Sequence, residues 1–452
     1  MKKFLRTTLI VYLLTWLAVF LMIVVVVMLN EGSFMDGVIN FRDMVPNSSF
    51  LIGIHVFFAQ IFTVFLLIRY FVRTFRKRGF LVFLKRLSLF ILLPATLLFT
   101  TYKIVVHINS EEDIAYNWDP RFENKGTISK DHYSNDGKHR GMSVFGWRQA
   151  DMKAISPLVK NNVEWVAVIP FFYQQDEQTS KLRMRDSYDT WSRRDSMFIE
   201  VIDQLHQRNL RVHFKPHLWM NSGWRSNINL TSKRHWDSWF DSYRITMLHY
   251  ARMAQETQVD LFCIGTELKT TIKEQPQKWC DLIAEIKAIY HGKLTYAANW
   301  DGDYDVIPFW DELDYIGIQA YFPLTEVENP DLEAIKRGWD EHIQVLESLS
   351  RQHDKPILFT EVGYKSEASA TIRPWEWGSA FGTLYKQKSD LTQLLAYEAL
   401  FQKLWHREWF AGIYIWQWDI RSKEEKAAQN INFSPRFKPA ENVIAKWFGN
   451  IN

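Results

Sequence analysis

Three long apolar runs near the N-terminus constrain this chain more than any other feature. They cover about residues 8–29, 51–72 and 87–106, and each is long enough to cross the ~30 Å hydrocarbon core of a bilayer as an α-helix. The first run has no charged residue, and it exceeds the ~7–15 residues of a signal-peptide apolar region. We therefore predict that residues 1–110 form a transmembrane region of three helices, with a kink at Pro94 in the third.

The charged residues beside these runs predict their orientation, because Lys and Arg are retained on the cytoplasmic side of short loops. Between the first and second runs, Glu31, Asp36 and Asp43 are accompanied only by Arg42. Basic residues precede the first run and separate the second from the third: Lys2, Lys3, Arg6, Arg69, Arg73, Arg76, Lys77, Arg78, Lys85 and Arg86. We predict a multi-pass membrane protein with a cytoplasmic N-terminus and an extracytoplasmic chain after about residue 107. The net charge of +3 lies in these membrane flanks and does not indicate nucleic-acid binding.

The rest of the chain divides into a spacer and one large domain. Residues 111–138 are polar and aperiodic, which predicts a linker. In residues 139–452, segments with helical periodicity separate eight short apolar runs, which begin at residues 141, 165, 211, 260, 293, 314, 356 and 412. This alternation predicts an α/β fold, a (β/α)8 TIM barrel with a parallel sheet covered by helices. An open doubly wound sheet is the alternative, but no Gly-rich phosphate loop follows the first run.

Two glutamates stand where apolar runs end. Glu267 ends the fourth run and Glu361 ends the seventh. Functional groups of such barrels lie at the C-terminal ends of strands, so we expect the two carboxyl groups on facing sides of one mouth. Glycoside hydrolysis needs such a pair, because one carboxyl protonates the leaving oxygen while the other attacks or stabilises the anomeric carbon. One strand-end glutamate alone would more often be an ion-pair partner or a helix cap, but two at these strands favour catalysis.

The phrases around these glutamates resemble a known family. IGTEL at residue 264, GIQAYFPL at 317 and FTEVGY at 359 are similar to glycoside hydrolase family 113 of clan A, whose characterised members cleave β-1,4-mannan. The resemblance covers about residues 140–450 and implies that Glu267 is the acid/base and Glu361 the nucleophile. Thr266 departs from the clan, because many members carry at this position an Asn that contacts the sugar 2-hydroxyl. The preference between 2-epimers is therefore open.

Further polar and aromatic residues lie where a sugar site would need them. The resemblance implies that Tyr321 donates a hydrogen bond to the nucleophile, and His217 could orient a carboxylate or a sugar hydroxyl, although a satisfied core histidine is the alternative. Nineteen of the 20 tryptophans follow residue 111, and flat aromatic faces suit pyranose rings. Most of them are expected in the core, including Trp165, Trp236, Trp239 and Trp405. The predicted substrate-binding residues are Trp147, His217, Trp219, Asn299, Trp300, Tyr321, Trp416 and Trp418.

Metal and nucleophilic alternatives have little support in the sequence. None of the 13 histidines forms a His-x-x-x-His pair joined to a third ligand at a strand end, and there is no Gly-x-Ser-x-Gly elbow. We therefore expect neither a metal nor a cofactor. Cys263 and Cys280 are too few for a disulfide framework and are predicted to be buried free thiols, with a single disulfide as the alternative.

These features together predict a retaining β-glycoside hydrolase that acts by double displacement on mannan or a related β-linked glycan at the outer face of the membrane. One alternative is a transglycosylase or an exo-acting enzyme on an envelope polysaccharide. Another is a catalytically silent glycan-binding membrane protein, although binding alone would not need both Glu267 and Glu361. A transport role is less favoured, since few charges interrupt the apolar runs.

The predicted topology can be tested with reporter fusions. A reporter placed after residue 452 should be active only outside the cytoplasm, and one placed near Gly79 only inside, because the basic residues flank Gly79. Activity of paired enzymatic reporters that work on opposite sides of the membrane measures both positions. The opposite pattern would contradict an extracytoplasmic catalytic domain.

Overall fold

The chain folds into two compact units, Met1–Lys103 and Ile104–Asn452. The computed structural model describes residues 2–29, 33–46, 48–111, 113–145, 147, 152–182, 188–377, 384–420, 423–427 and 430–450.

The N-terminal unit is helical, and one helix continues from it into the second unit. Three helical stretches, Phe4–Leu29, Phe50–Arg78 and Phe80–Asn109, are long and apolar enough to span a membrane, as the sequence predicts. The helices here are α1 (Lys2–Leu29), α2 (Phe34–Met44), α3 (Ser48–Arg78), α4 (Phe80–Leu87) and α5 (Leu93–Asn109), with a π-helical turn at Ser88–Leu92. Pro94 lies in the first turn of α5, directly after this π-helical turn. A proline is tolerated in the first turn of a helix because the amide hydrogen that it lacks would have no acceptor within that helix.

The second unit is a closed barrel of eight parallel strands, which confirms the predicted (β/α)8 fold. Its order around the ring is β1, β10, β9, β8, β7, β6, β4, β2, and β3 pairs with β5 in a separate two-stranded sheet. The strands are β1 (His139–Phe145), β2 (Trp165–Val168), β3 (Phe171–Gln174), β4 (Arg211–Phe214), β5 (His217–Met220), β6 (Leu261–Thr266), β7 (Lys293–Asn299), β8 (Tyr315–Gln319), β9 (Ile357–Val362) and β10 (Phe410–Asp419). Every barrel strand coincides with one of the eight apolar runs.

Helices surround this barrel, and their apolar faces form the outer core. They are α6 (Tyr133–Asp136), α7 (Met152–Lys160), α8 (Tyr188–His206), α9 (Lys233–Glu256), α10 (Lys269–Glu274), α11 (Pro276–Lys287), α12 (Leu332–His353), α13 (Asp390–Leu404), α14 (Glu424–Ala427) and α15 (Pro439–Phe448). Four tryptophans expected in the core, Trp165, Trp236, Trp239 and Trp405, are buried. They bury large apolar surfaces and therefore contribute strongly to packing.

Aromatic side chains fill the lower interior of the barrel. His139 of β1 stacks on Trp165 of β2, with ring centroids 3.9 Å apart, and its ring lies 5.1 Å from that of Tyr315 in β8. Because β1 and β8 are not neighbours in the ring, this contact crosses the barrel. The Tyr414 hydroxyl, 2.8 Å from His139 Nδ1, completes this layer below the C-terminal ends of the strands.

The segment 111–138, predicted as a linker, belongs to the second unit, and its described residues hydrogen bond to other parts of that unit. The Asp113 carboxylate accepts hydrogen bonds from Ser389 Oγ at 2.6 Å and from the amide of Asp390 at 2.9 Å, at the start of α13. Farther along, Asn124 N donates to the Lys160 carbonyl at 2.9 Å. Polar groups of this segment therefore cap α13 and hydrogen bond to the barrel domain. The domain boundaries drawn from the sequence remain predictions.

Replacing Asp113 tests whether this segment belongs to the folded unit. Asp113→Ala should lower the free energy of unfolding of the second unit by about 1 kcal/mol, because it removes an acceptor for exposed amides of a helix N-terminus. Denaturant unfolding of the detergent-solubilised chain, followed by tryptophan fluorescence, gives this value. The control is Glu326→Ala, an exposed carboxylate. Equal stability of both variants would show that the segment contributes nothing.

Candidate active site

Glu267 and Glu361 line one cavity of about 540 Å³ at the C-terminal ends of the barrel strands. Both residues are only 4% exposed. Glu267 follows β6 in a left-handed conformation with φ of 52°, which costs a non-glycine residue roughly 1–2 kcal/mol. Its amide donates to the Ala297 carbonyl at 2.9 Å and its carbonyl accepts from Ser226 Oγ at 2.8 Å. These bonds stabilise the turn that directs the carboxyl group into the cavity.

Three cationic or polar side chains surround the Glu361 carboxylate. Lys215 Nζ lies 2.6 Å from Oε1 and the Tyr321 hydroxyl donates to Oε2 at 3.0 Å. The Lys215 side chain is fully buried, and its ammonium also donates to the Thr360 carbonyl at 3.1 Å. A buried carboxylate with a paired cation and additional hydrogen bonds is compatible with the cost of leaving water.

His217 also lies beside Glu361, with Nε2 3.4 Å from Oε1 but without a hydrogen bond. Burial lowers the pKa of His217 well below its usual value, and the positive charges of Lys215 and Arg225 lower it further. The imidazole is therefore neutral at neutral pH. Its ring is nearly parallel to that of Trp416, at an angle of 9° and a centroid distance of 6.4 Å.

The Glu267 carboxyl group experiences opposing influences. Burial is the largest and raises the pKa of Glu267, the Arg225 guanidinium lowers it, and the negative charge of Glu361 raises it. Arg225 Nη2 lies 2.5 Å from Glu267 Oε2. The net direction is upward, which suits a group that must donate a proton near neutral pH.

A third buried carboxyl group, that of Asp303, supports the fifth strand of the barrel. The amide of Asn299 donates to Asp303 Oδ2 at 3.2 Å, and Lys269 Nζ lies 3.5 Å from Oδ1. Burial raises the pKa of Asp303 to about 7, and the negative charge of Glu267 adds to this increase. Asp303 thus fixes the position of Asn299, which lines the cavity.

The structure brings together some of the residues predicted to bind substrate. Asn299, Trp300, Tyr321 and Trp416 line the cavity beside the two glutamates. His217 lies beside Glu361 but does not line the cavity. The lining contains further residues that sequence reasoning missed: Trp224, Arg225, Asp301, Trp375, Glu376, Trp377 and Phe433.

Three predicted tryptophans do not line this cavity. Trp147 packs against the outer core, and Trp219 is 46% exposed on β5. Trp418 is fully buried in the outer core, because Met142 pairs with Ile415 and Val144 with Trp418, so β10 has one residue more than β1. This bulge changes the alternation, and Trp416 lies on the inner face while Trp418 lies on the outer one.

Lys215 and Arg225 are the most informative residues that the sequence did not single out. Lys215 directly follows β4, so the rule that identified the glutamates, a charged residue ending an apolar run, also applies to it. Arg225 is in a short 3-10 turn within a loop and carries no such signal. Gln319, at the end of β8, accepts a hydrogen bond from Lys215 Nζ through Oε1 at 3.4 Å, and its side chain lowers the pKa of Glu267.

Within the described part of the chain, no cluster of His, Cys, Asp and Glu has a geometry that could hold a metal ion. Cys263 and Cys280 are free thiols, Cys263 buried and Cys280 partly buried.

The sequence model of Glycoside Hydrolase Family 113 matches residues 142–438. The chain belongs to this family. Solved family 113 structures agree: one titled as a complex of a β-1,4-mannanase shares 26% identity at a TM-score of 0.60, covering 69% of this chain and 98% of that one. The β-mannanase from Alicyclobacillus acidocaldarius, in complex with ManMIm, shares 25% identity at a TM-score of 0.60, covering 70% and 98%. A comparison with curated proteins gives no match.

Family 113 membership and these neighbours make the protein a β-glycoside hydrolase of the mannanase-like kind, which binds a glycan substrate. The matched region begins in β1 and ends just before α15, and so covers the strands that carry the cavity. The apolar N-terminal helices lie outside it.

The opposing influences on Glu267 predict the effect of removing Arg225. In Arg225→Met the pKa of Glu267 should rise, since the guanidinium is the main group that lowers it. Infrared titration of the protonated carboxyl band, assigned by its loss in Glu267→Gln, measures this pKa. Arg244→Met is the control, because it removes an exposed ion pair with Glu285. An unchanged or lower pKa in Arg225→Met would contradict this electrostatic assignment.

Proposed function

We propose that this family 113 protein is a retaining β-glycosidase that cleaves mannan or a related β-linked glycan by double displacement. Glu361 attacks the anomeric carbon and forms a glycosyl-enzyme, while Glu267 protonates the leaving oxygen. Glu267 then removes a proton from the water that hydrolyses the intermediate. The observation that carries the proposal is the pair of buried carboxyl groups in one cavity with contrasting surroundings.

The surroundings of Glu361 support the role of nucleophile. Lys215 and Tyr321 contact different oxygens of its carboxylate, so its negative charge is stabilised and its orientation is fixed. A carboxylate nucleophile must be ionised when substrate binds. As the glycosyl-enzyme forms, the attacking oxygen loses its charge, and the Lys215 ammonium retains hydrogen bonds to Thr360 and Gln319.

The surroundings of Glu267 support the role of acid and base. Burial and the charge of Glu361 raise its pKa, which favours the protonated carboxyl group that the first step requires. Once Glu361 is esterified, its charge no longer raises the pKa of Glu267, which favours the ionised carboxylate that the second step requires as general base. Such cycling of one carboxyl between two roles is what a retaining reaction requires.

The choice of a mannan-like substrate rests on the family 113 neighbours, two of which are titled β-1,4-mannanases and one a β-mannanase. Trp416 provides an aromatic face next to the glutamates that suits a pyranose ring. The apolar N-terminal helices and the basic residues that flank them support a reaction at the outer face of the membrane.

The two roles are distinguished by what the loss of each carboxyl group does. Glu361→Ala should abolish turnover of every substrate, because no glycosyl-enzyme can form. Glu267→Ala should reduce turnover roughly 10²–10⁴-fold for poor leaving groups and far less for aryl glycosides with acidic phenols, which leave without protonation. Steady-state kinetics with a series of aryl β-mannosides, and mass spectrometry of the trapped glycosyl-enzyme, measure both effects.

Azide provides the decisive control for this assignment. It needs no general base, so it should restore turnover of Glu267→Ala and yield a β-glycosyl azide. In a variant that lacks the nucleophile, azide attacks the β-glycoside directly and gives an α-glycosyl azide, so a β-glycosyl azide from Glu361→Ala would show that the roles are exchanged. A panel of β-linked polysaccharides tests the substrate, and cleavage of another β-glycan without cleavage of mannan would replace mannan in the proposal.

A further inference from the structure

The segment that follows Glu361, residues 363–377, forms an aromatic arm across the mouth of the barrel. Trp375 of the arm stacks on Trp300, with centroids 4.7 Å apart and an angle of 26° between the rings. Trp377 makes edge-to-face contacts with Trp416 at 6.1 Å and with Phe433 at 6.3 Å. The arm therefore reaches from the end of β7, the fifth barrel strand, to β10, the eighth.

Backbone hydrogen bonds attach the arm to the neighbouring loop that follows β8. The amide of Leu324 donates to the Thr371 carbonyl at 2.8 Å, and the amide of Asn329 donates to the Ala368 carbonyl at 2.9 Å. These bonds attach the middle of the arm, residues 368–371, to that loop.

A buried carboxylate secures the base of the arm. Glu367 Oε1 lies 2.8 Å from both Lys365 Nζ and Lys386 Nζ, and it accepts a hydrogen bond from Ser369 Oγ at 3.2 Å. Lys386 Nζ also lies 3.3 Å from Glu376 Oε2. Because Glu376 stands between the two tryptophans of the arm, this chain of charges connects the buried base to the cavity lining.

The tryptophans of the arm present large exposed surfaces in spite of this anchoring. Trp375 is 40% exposed and Trp377 is 61% exposed, whereas Trp416 beneath them is 4% exposed. Exposed aromatic surface that is fixed in place and continuous with a cavity marks a binding groove. Rigid aromatic faces bind a ligand with little loss of conformational entropy. Glu376 adds a carboxylate that can accept hydrogen bonds from sugar hydroxyls.

We propose that Trp375 and Trp377 form a second sugar subsite, adjacent to the catalytic subsite on Trp416, which binds another unit of the same β-linked glycan chain. This inference rests on the proposed function, because it assigns the residues by which the same cleft recognises chain length. Trp375 and Trp377 are specificity-determining residues here. They increase affinity for long chains and leave the reacting carboxyl groups unchanged.

The test measures how affinity depends on chain length. In full-length Glu361→Gln protein, which cannot consume the ligand, calorimetry gives the affinities for β-1,4-mannohexaose and for mannose, which fills only one subsite. Adding Trp375→Ala or Trp377→Ala should reduce the ratio of the two affinities roughly tenfold, equal to about 1.4 kcal/mol. Trp409→Ala is the matched control, since Trp409 directly precedes β10 at the opposite end of the barrel, and it should leave the ratio unchanged.

An unchanged ratio in both arm variants would overturn the subsite. If neither mannohexaose nor mannose binds, the subsite and the mannan proposal are both overturned. Turnover by the otherwise native chain is measured separately. Binding with the expected length dependence but without any turnover would leave the subsite supported and would refute the proposed hydrolytic function.

Discussion

Eight parallel strands close into a barrel, so their C-terminal ends meet at a single rim and their side chains alternate between the interior and the surrounding helices. Glu267 and Glu361 are 94 residues apart in the chain, yet both reach the same cavity because β6 and β9 end at this rim. The layer of His139, Trp165, Tyr315 and Tyr414 fills the barrel below them. The two glutamates therefore lie above a layer of packed side chains.

Burial at this rim makes the electrostatics of the cavity unequal. A charge taken out of water is costly unless it is paired, and the two glutamates meet this cost differently. Lys215 and Tyr321 surround Glu361, whereas Glu267 faces a single cation, Arg225, and the negative field of Glu361. The same barrel end thus provides two carboxyl groups with different charged and hydrogen-bonding neighbours, which is the usual basis for dividing acid and nucleophile roles.

Segments outside the barrel strands complete the cleft and the domain. The aromatic arm places Trp375 on Trp300 and Trp377 beside Trp416, and the segment after α5 caps α13 through Asp113. Both segments are rich in polar residues and lack strong periodicity. Sequence patterns consequently predict them as loop or linker, since their contacts join residues that are distant in the chain. Asp113 and Asp390, for example, meet across 277 positions.

The sequence alone determined the three apolar helices, the eight strands and the positions of Glu267, Glu361 and Tyr321, because apolar periodicity and a polar residue at a strand end are local patterns. Tertiary structure decided which other side chains reach the cavity. A bulge in β10 separates Trp416 from Trp418, although alternation would place them on one face. The partnership of Arg225 with Glu267 and of the arm with Trp300 arises from loops, whose paths depend on long-range hydrogen bonds and buried ion pairs that leave no periodic signal in the chain.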